Sequence, residues 1–403
     1  MDGACALSAK ITAPRKLRIA VVTETYLPEI NGVAMTMGYL VQGLLRRGHQ
    51  VELVRPRQYP AEVPLHRGRF EEILLRGVPI PRYDALRLGL PSMPLLFRHW
   101  KVTRPDVVHL VTEGPLGWSA LRAARALGLP VASDFHTNFH TYTPHYGIGW
   151  LKRPITAYLR HFHNSAMCTI VPTPDLRDEL HALGFRNLLI VARGVDTRLF
   201  SPARRDPLLR RLWGVEPHDP VAVCVGRVAP EKNLGLLIET FEAMRAVNPR
   251  AKLVVVGEGP ERMKLLMRHP HVHFAGGRIG TDLAAHYASA DLFLYPSLTE
   301  TYGNVTVEAL ASGLPVVAFG YAAAAQHIRD SENGIAVTYG DREAFMRAAI
   351  DLMSDREKMK RLGAHARATM LPVDWEEILW GFEGTLLRLA DEHAGGELGR
   401  AVA

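Results

Sequence analysis

Short apolar runs recur along the chain, each followed by a polar loop and then by a stretch in which apolar residues return every three or four positions. The run Leu17 to Val22 leads through a polar loop to a helical stretch carrying Tyr39, Leu40, Leu44 and Leu45, and then to a second run at Val51 to Val54. That rhythm predicts one βαβ unit. Runs at Val107–Val111 and Pro130–Ala132, with "SALRAARALG" between them, continue it. Unbroken rather than alternating runs are expected of strands covered on both faces, which implies a parallel sheet with helices on either side. The rhythm restarts after "ARGVDTRLFSPARRDPLLRRLWG". "PVAVCVG", the loop "RVAPEKN", a helix near 233–246, "AKLVVVG", "VHFAG", "DLFLYPS" and "LPVVAFG" follow in turn.

The predicted fold class is therefore α/β, with two Rossmann-like doubly wound domains facing a central cleft. A chain of 403 residues exceeds one ordinary core. The expected divisions are residues 1–200, residues 201–373, and a tail 374–403 in which Trp375, Ile378, Leu379 and Phe382 mark one side of a helix crossing back to the first domain. The cleft between the carboxyl ends of two sets of strands is the default ligand site.

Composition narrows the classes. At 47% hydrophobic and 22% charged the chain is an ordinary globular protein. No apolar run approaches the roughly 18–20 residues needed to span a bilayer, and the start lacks a secretion-signal core, so a cytoplasmic protein is expected. Cys5, Cys168 and Cys224 show no metal-binding or disulfide spacing. The charge is uneven: residues 1–200 carry 25 Lys and Arg against 15 Asp and Glu, and the remainder 23 against 26. A basic first half implies an anionic partner, either nucleic acid or an acidic membrane surface. No nucleic-acid motif or stacking strip of aromatics is visible, so nucleic acid is not expected.

Neither half has GxGxxG after its first strand, and no GxxxxGK[ST] occurs, which disfavours dinucleotide-dependent and P-loop enzymes. The chemistry concentrates in "PSLTETYGNVTVEALASGLPVVA" (296–318), where Glu300 and Glu308 stand eight positions apart around Gly303. Asn304 is the expected N-cap of a helix carrying Glu308, while Glu300 falls on the loop before it. A carboxylate accepts the paired hydrogen bonds that a sugar diol or a ribose offers, and free N–H groups at the helix start suit a phosphate. Taken alone, the two glutamates read rather as solvated or helix N-terminal charges. Arg227 and Lys232, in the loop after another strand, add two cations at the same cleft, where charge would develop on a departing diphosphate.

"GRVAPEKN" (226–233), "VVVGEGPE" (254–261), "ADLFLYPSLTETYGNVTVEALASGLPVVA" (290–318), "ENGIAV" (332–337), "PEINGVA" (28–34) and "ARGVDTRLFSP" (192–202) together resemble the family 4 retaining glycosyltransferases of GT-B fold. The resemblance spans nearly the whole chain. It implies that Arg227 and Lys232 hold the donor diphosphate, Glu308 the ribose and Glu300 the transferred sugar, with Thr301, Tyr302, Gly303 and Asn304 lining the donor loop. Gly32 and Gly226 would allow close backbone approach, and the nucleotide base would lie near Gly277 and Arg278. His136, in "SDFHTNFHTY", matches an active-site histidine that hydrogen-bonds the donor sugar; Asp134 either orients it or merely ends the strand. His140, His145, His161 and His163 lie close by in the sequence, so this could equally be a histidine-rich segment. The family transfers with retention and usually without a metal, so neither metal nor cofactor is expected. One departure is "FGYAAAAQHI" (319–328), where many relatives have a glycine-rich turn ending in glutamate.

For the acceptor, residues 133–164 are similar to enzymes that glycosylate diacylglycerol-type lipids, such as sulfoquinovosyl-diacylglycerol synthases and related mannosyltransferases. Trp150, Leu151, Tyr158 and Phe162 mix with Lys152, Arg153 and Arg160, and Leu95, Leu96, Phe97 and Trp100 with Arg98, Lys101 and Arg104. Such mixtures of apolar anchors and cations suit an anionic membrane surface, at about 1 kcal/mol per cation. The same pattern also fits helices packed on the sheet. The expected activity is transfer of a hexose or hexuronic acid from a nucleotide diphosphate sugar, UDP-linked before GDP-mannose, to a membrane lipid by an enzyme resting on the inner face of the plasma membrane. A soluble sugar acceptor, a non-catalytic binding protein and an epimerase are the alternatives.

Overall fold

The computed structural model describes residues 15–29, 31–80, 83–136 and 152–401. The first sheet contains β1 (Arg18–Val22), β2 (Gln50–Pro56), β3 (His66–Arg67), β4 (Phe70–Leu75), then β7 (Val107–Leu110), β8 (Val131–Asp134), β9 (Cys168–Val171) and β10 (Leu188–Ile190). Their order is β10-β9-β8-β7-β1-β2-β4-β3, parallel except for β3 against β4. Between β4 and β7, β5 (Gly77–Ile80) and β6 (Tyr83–Gly89) form a separate antiparallel pair, which the apolar pattern did not announce. The second sheet, β11 (Val221–Val225), β12 (Lys252–Val256), β13 (His273–Gly276), β14 (Leu292–Tyr295), β15 (Val316–Phe319) and β16 (Gly334–Val337), is parallel throughout, in the order β13-β12-β11-β14-β15-β16.

The runs read from the sequence are buried as continuous strands because both faces are covered. β11 is buried at every position, and so are β7, β8, β14 and β15. In each sheet the strand order reverses once, between β1 and β7 and between β11 and β14. Loops leaving the carboxyl ends at a reversal diverge and open a crevice. The loops of interest, residues 23–29 after β1, 226–233 after β11 and 296–303 after β14, all leave from these two points.

The loops after β11 and β12 interlock. Val228 N–H donates to Glu258 O at 2.9 Å and Glu261 N–H to Val228 O at 3.1 Å, and a side chain at Gly257 or Gly259 would collide with the backbone of the first loop. The helix Trp375–Ala401 packs on the first sheet's core, where Leu379, Phe382 and Leu386 join Leu17, Ile19, Leu40 and Leu44. Its Glu383 meets Arg47 and His49, each at 2.6 Å, and Gly43 of the helix Gly32–Arg46 is small enough to let Leu379 approach.

In the departing segment, Ala322 adopts φ +52°, a left-handed conformation that costs a residue with a Cβ roughly 1–2 kcal/mol. Ala322→Gly is therefore expected to stabilise the chain by about 1 kcal/mol, read as a raised Tm. An unchanged or lower Tm would show that the turn is unstrained.

Candidate active site

The two catalytic-looking loops meet because β11 and β14 are neighbours. Lys232 Nζ, from the loop after β11, donates to Glu300 Oε1 on the loop after β14, and lies 3.5 Å from Ser297 Oγ and from Thr299 O. The same Glu300 oxygen accepts from Tyr295 OH at 2.5 Å and Ser297 Oγ at 2.6 Å. Burial first, and the Glu300 charge second, push the Tyr295 phenol well above its ordinary value, so it stays a donor. Three donors on Oε1 leave Oε2 as the oxygen a substrate hydroxyl can address. Arg227 donates to the buried Glu231, four residues on, which was not singled out from the sequence. Gly226, at φ +152°, gives the strand end its turn and comes within a Cβ's reach of the Tyr295 ring.

Beyond Glu300, Gly303 takes φ +93° and is itself the cap, so the helix runs Asn304–Ala311 with Asn304 as its first residue. The sequence expectation was one residue out: a glycine that can turn left-handed ends the loop without help from a side chain. That helix start has no side-chain cap. Across the cleft, the helix Gly32–Arg46 begins at Gly32, and Asn304 Nδ2 lies 3.5 Å from Gly32 O. The starts of two helices, one from each domain, thus meet across the cleft; the first is capped by Asn31 Oδ1 on Ala34 N–H at 2.9 Å, and the second opens next to Glu300 with its N–H groups free of any side-chain cap, which suits an anion.

One turn into its helix, Glu308 accepts from Tyr287 OH at 2.8 Å. Burial pushes its carboxyl up to about 7, against the lowering effect of the Tyr287 bond. Its proton is thus retained up to about pH 7 in the folded chain, whereas an unfolded glutamate has released it, so this contribution to stability is lost as pH rises through that window. Arg278 is turned back on itself, donating to Ala275 O at 2.7 and 3.0 Å and to Asp282 at 3.2 Å, and Gly277 N–H is taken by Glu258 at 3.1 Å. Thr301 is buried and lines a cavity of about 260 Å³ between Thr173, Asp175 and Glu179 of the first domain and Glu300, Tyr321 and Tyr339 of the second.

His136 lines a pocket with Asp134, Arg193 and Trp375. The ring is nearly buried, and its Nδ1 accepts from Arg193 Nη2 at 2.6 Å while Nε2 lies 2.9 Å from Asp134 Oδ2. The guanidinium and the carboxylate flank the imidazole, and of these two contacts only the one at Nδ1 has hydrogen-bond geometry. Burial holds the imidazole below its ordinary pKa despite Asp134, and the accepted Arg193 bond leaves the ring proton on Nε2. On the far side His109 Nε2 lies 3.0 Å from Asp134 Oδ1. Arg193, buried, extends the chain into the second domain: its carbonyl accepts from Tyr302 OH at 2.9 Å, and that hydroxyl also faces His327 Nε2 at 3.0 Å. The sequence offered Arg193 only as one letter of a matched motif.

The surface expectations fare differently from one another. Trp100 and Leu96 are fully buried, the indole donating to Glu52 Oε1 at 2.7 Å, and Phe162 is buried too, so these are packing residues and not membrane anchors. Lys101, Arg98 and Arg104 are exposed beside Leu95 and Val102. Arg153 and Tyr158 are exposed on the helix Lys152–His163, whose Lys152 side chain is not described, and Trp150, Leu151, His140 and His145 lie outside the described residues.

Two family models cover the chain: "Glycosyltransferase Family 4" matches residues 30–199 and "Glycosyl transferases group 1" matches residues 219–355. A GDP-mannose-dependent alpha-mannosyltransferase of Mycobacterium tuberculosis is 34% identical over 378 residues, 91% of this chain and 96% of that protein. The chain belongs to the family 4 glycosyltransferases. An alpha-monoglucosyldiacylglycerol synthase of Acholeplasma laidlawii is 28% identical to this glycosyltransferase, over 94% of the chain and 98% of the relative. A sucrose-phosphate synthase of Thermosynechococcus elongatus superposes with a TM-score of 0.75 at 20% identity, covering 93% and 98% of the two chains, which shows the shared GT-B fold of the glycosyltransferase.

Proposed function

We propose that this glycosyltransferase moves a hexose, with retention and without a metal, from a nucleotide diphosphate sugar to the hydroxyl of a membrane lipid. The observation carrying it is the Lys232–Glu300 pair set beside the helix start at Gly303, which meets the first domain at Gly32. A nucleotide diphosphate sugar entering there would place its sugar hydroxyls on Glu300, its ribose diol on Glu308 and its diphosphate on Lys232, Arg227 and the helix N–H groups. The bond from the anomeric carbon to the phosphate oxygen breaks while the bond to the acceptor oxygen forms on the same face. The acceptor's proton passes to the departing phosphate. Fixed cations and dipoles supply the positive charge that a metal gives in other transferases. Addition of a chelator is accordingly expected to leave the rate unchanged.

UDP-hexose was the donor weighted first from the sequence. The mannosyltransferase at 34% identity is named for GDP-mannose, and this favours GDP-mannose as the donor here. The lipid acceptor is supported by the diacylglycerol synthase relative and by the exposed cations of the first domain. Purified chain, labelled GDP-mannose or UDP-glucose, and vesicles of diacylglycerol in anionic lipid test the proposal. Label should pass into the organic phase as an α-glycoside. Transfer to soluble sugars alone would overturn the lipid acceptor.

The membrane face of this reading is the exposed edge of the helix Met93–Thr103, where cations stand beside Leu95 and Val102. Charge reversal at Arg98, Lys101 and Arg104 is expected to release the chain from anionic vesicles in a flotation assay, since each cation contributes about 1 kcal/mol. Turnover on a detergent-dispersed acceptor should persist. Unchanged flotation would place the membrane face elsewhere.

Glu308 gives a pH test. Its ionised form is the better acceptor for a ribose diol, and with its pKa near 7 that form is depleted below neutrality. The donor KM is expected to rise as pH falls from about 8 to about 6, and Glu308→Gln should flatten this slope. A slope that survives the substitution assigns the titration to another group.

A further inference from the structure

We propose that Glu242, His269 and His271 form a zinc site on the outer edge of the second domain, apart from the donor cleft. Their ligand atoms all lie within 4.8 Å of one another. Zinc bonds nitrogen and carboxylate oxygen at about 2.0–2.2 Å, so tetrahedral ligands stand roughly 3.3 Å apart, and side-chain rotations alone can close the remaining distance.

The packing already orients the set. His269 and His271 ride on one turn around Pro270, closed by Val272 N–H donating to His269 O at 3.0 Å, and Val272 anchors that turn in the core. The His271 ring lies against Phe241 with centroids 6.1 Å apart and planes at 18°, and meets the His269 ring edge-on at 6.0 Å. Its Nε2 contacts Glu242 Oε1, on the helix Leu234–Val247. The second Glu242 oxygen lies 3.6 Å from Arg245 Nη1, which steadies the carboxylate from outside the ligand set, as second partners do in metal sites. His273, two residues on, meets Trp213 instead and is not part of the group.

Two imidazoles and one carboxylate suit zinc or a neighbouring late first-row ion, and not calcium or magnesium, which take oxygen ligands. Three protein ligands leave a fourth position for water. His271 precedes β13, so the site sits at the amino edge of the sheet, opposite the carboxyl ends that build the cleft. An ion there straps the helix Leu234–Val247 to the β13 connection, and its effect falls on stability rather than turnover.

The test is calorimetric titration of the untagged, chelator-treated full chain with zinc chloride, with thermal unfolding alongside. One saturable equivalent and a zinc-dependent rise in Tm are expected. His269→Ala and His271→Ala should each weaken binding by about tenfold or more. His365→Ala, at an exposed histidine elsewhere, should leave it unchanged and controls for the other imidazoles of a chain with 18. Crystals soaked in zinc should place the anomalous peak among the three ligands. Failure to saturate, affinity unchanged from the parent chain in both histidine variants, or a peak at another site would each overturn the proposal. Loss of turnover on chelation would instead count against the metal-free mechanism, so the two failures are distinguishable.

Discussion

Replacing Lys232 by alanine is expected to lower kcat by about 10²–10³-fold, the usual effect of removing one fixed donor from a developing oxyanion. Its ammonium group serves two partners in succession. In the free chain it neutralises Glu300, and during transfer it would face the charge gathering on the diphosphate. Glu300→Gln keeps the shape of the side chain and its contacts with Tyr295 and Ser297, but removes the charge that draws Lys232 into place. A comparable loss in kcat is expected, with a smaller change in donor KM. Because the two side chains are in contact, their effects should not add: the double variant is expected to be little worse than the poorer single one, so the coupling should be close to one single loss, about 3–4 kcal/mol. Steady-state kinetics on all four chains, with calorimetry of the nucleoside diphosphate, measure this. Near-full kcat for Lys232→Ala would remove it from the leaving-group side of the reaction.

The strands were legible because they are buried on both faces, which leaves a run of apolar residues that no helix period imitates. "PVAVCVG" and "DLFLYPS" therefore announced β11 and β14, and their adjacency brings Lys232 to Glu300. The pair β5 and β6 carries no such run, with Gly77, Pro79 and Gly89 interrupting it. Helical periodicity has a different blind spot. It shows that Trp100 and Leu96 share a face with neighbouring apolar residues, but a stripe that meets the protein reads the same as one that meets lipid. The partner that decides the matter, Glu52 on β2, lies 48 residues away. Tyr287, 21 residues from Glu308, was hidden in the same way, whereas Tyr295 stands only five residues before Glu300 and was missed as an ordinary strand residue. An aromatic residue at a strand or helix end is ordinary core until the carboxylate it serves is known. The cap of the donor-loop helix was missed for a local reason: asparagine is the better cap by frequency, but the glycine before it can take the left-handed backbone that the loop requires.

Arg193→Met is expected to cost both stability and rate, and it concerns the least legible part of the site. Arg193 and Asp134 are opposite charges held apart by one neutral imidazole, all three almost without solvent. Burial lowers the pKa of the guanidinium, with Asp134 opposing that shift. Asp134 lies well below its ordinary value, because His109 and His136 outweigh the cost of its own burial. Removing one partner of such a set leaves an uncompensated buried charge, a loss of about 3–5 kcal/mol, so the Tm of the variant should fall by several degrees. The effect on rate has a separate origin. Arg193 fixes the His136 tautomer from one side, and from the other its carbonyl holds Tyr302, three residues before Val305 in the helix whose start faces Gly32. It is a positioning residue that joins the two domains beside the cleft. Arg193→Lys keeps a charge and one donor, and should regain a large share of kcat even where the Tm remains low. Nitrogen-15 spectra of the His136 ring give an independent readout: Nδ1 bare and Nε2 protonated in the parent chain, with a mixture of tautomers in the methionine variant. If kcat per folded molecule and the ring signals are unchanged while only the Tm falls, Arg193 supports the fold and has no part in setting the site.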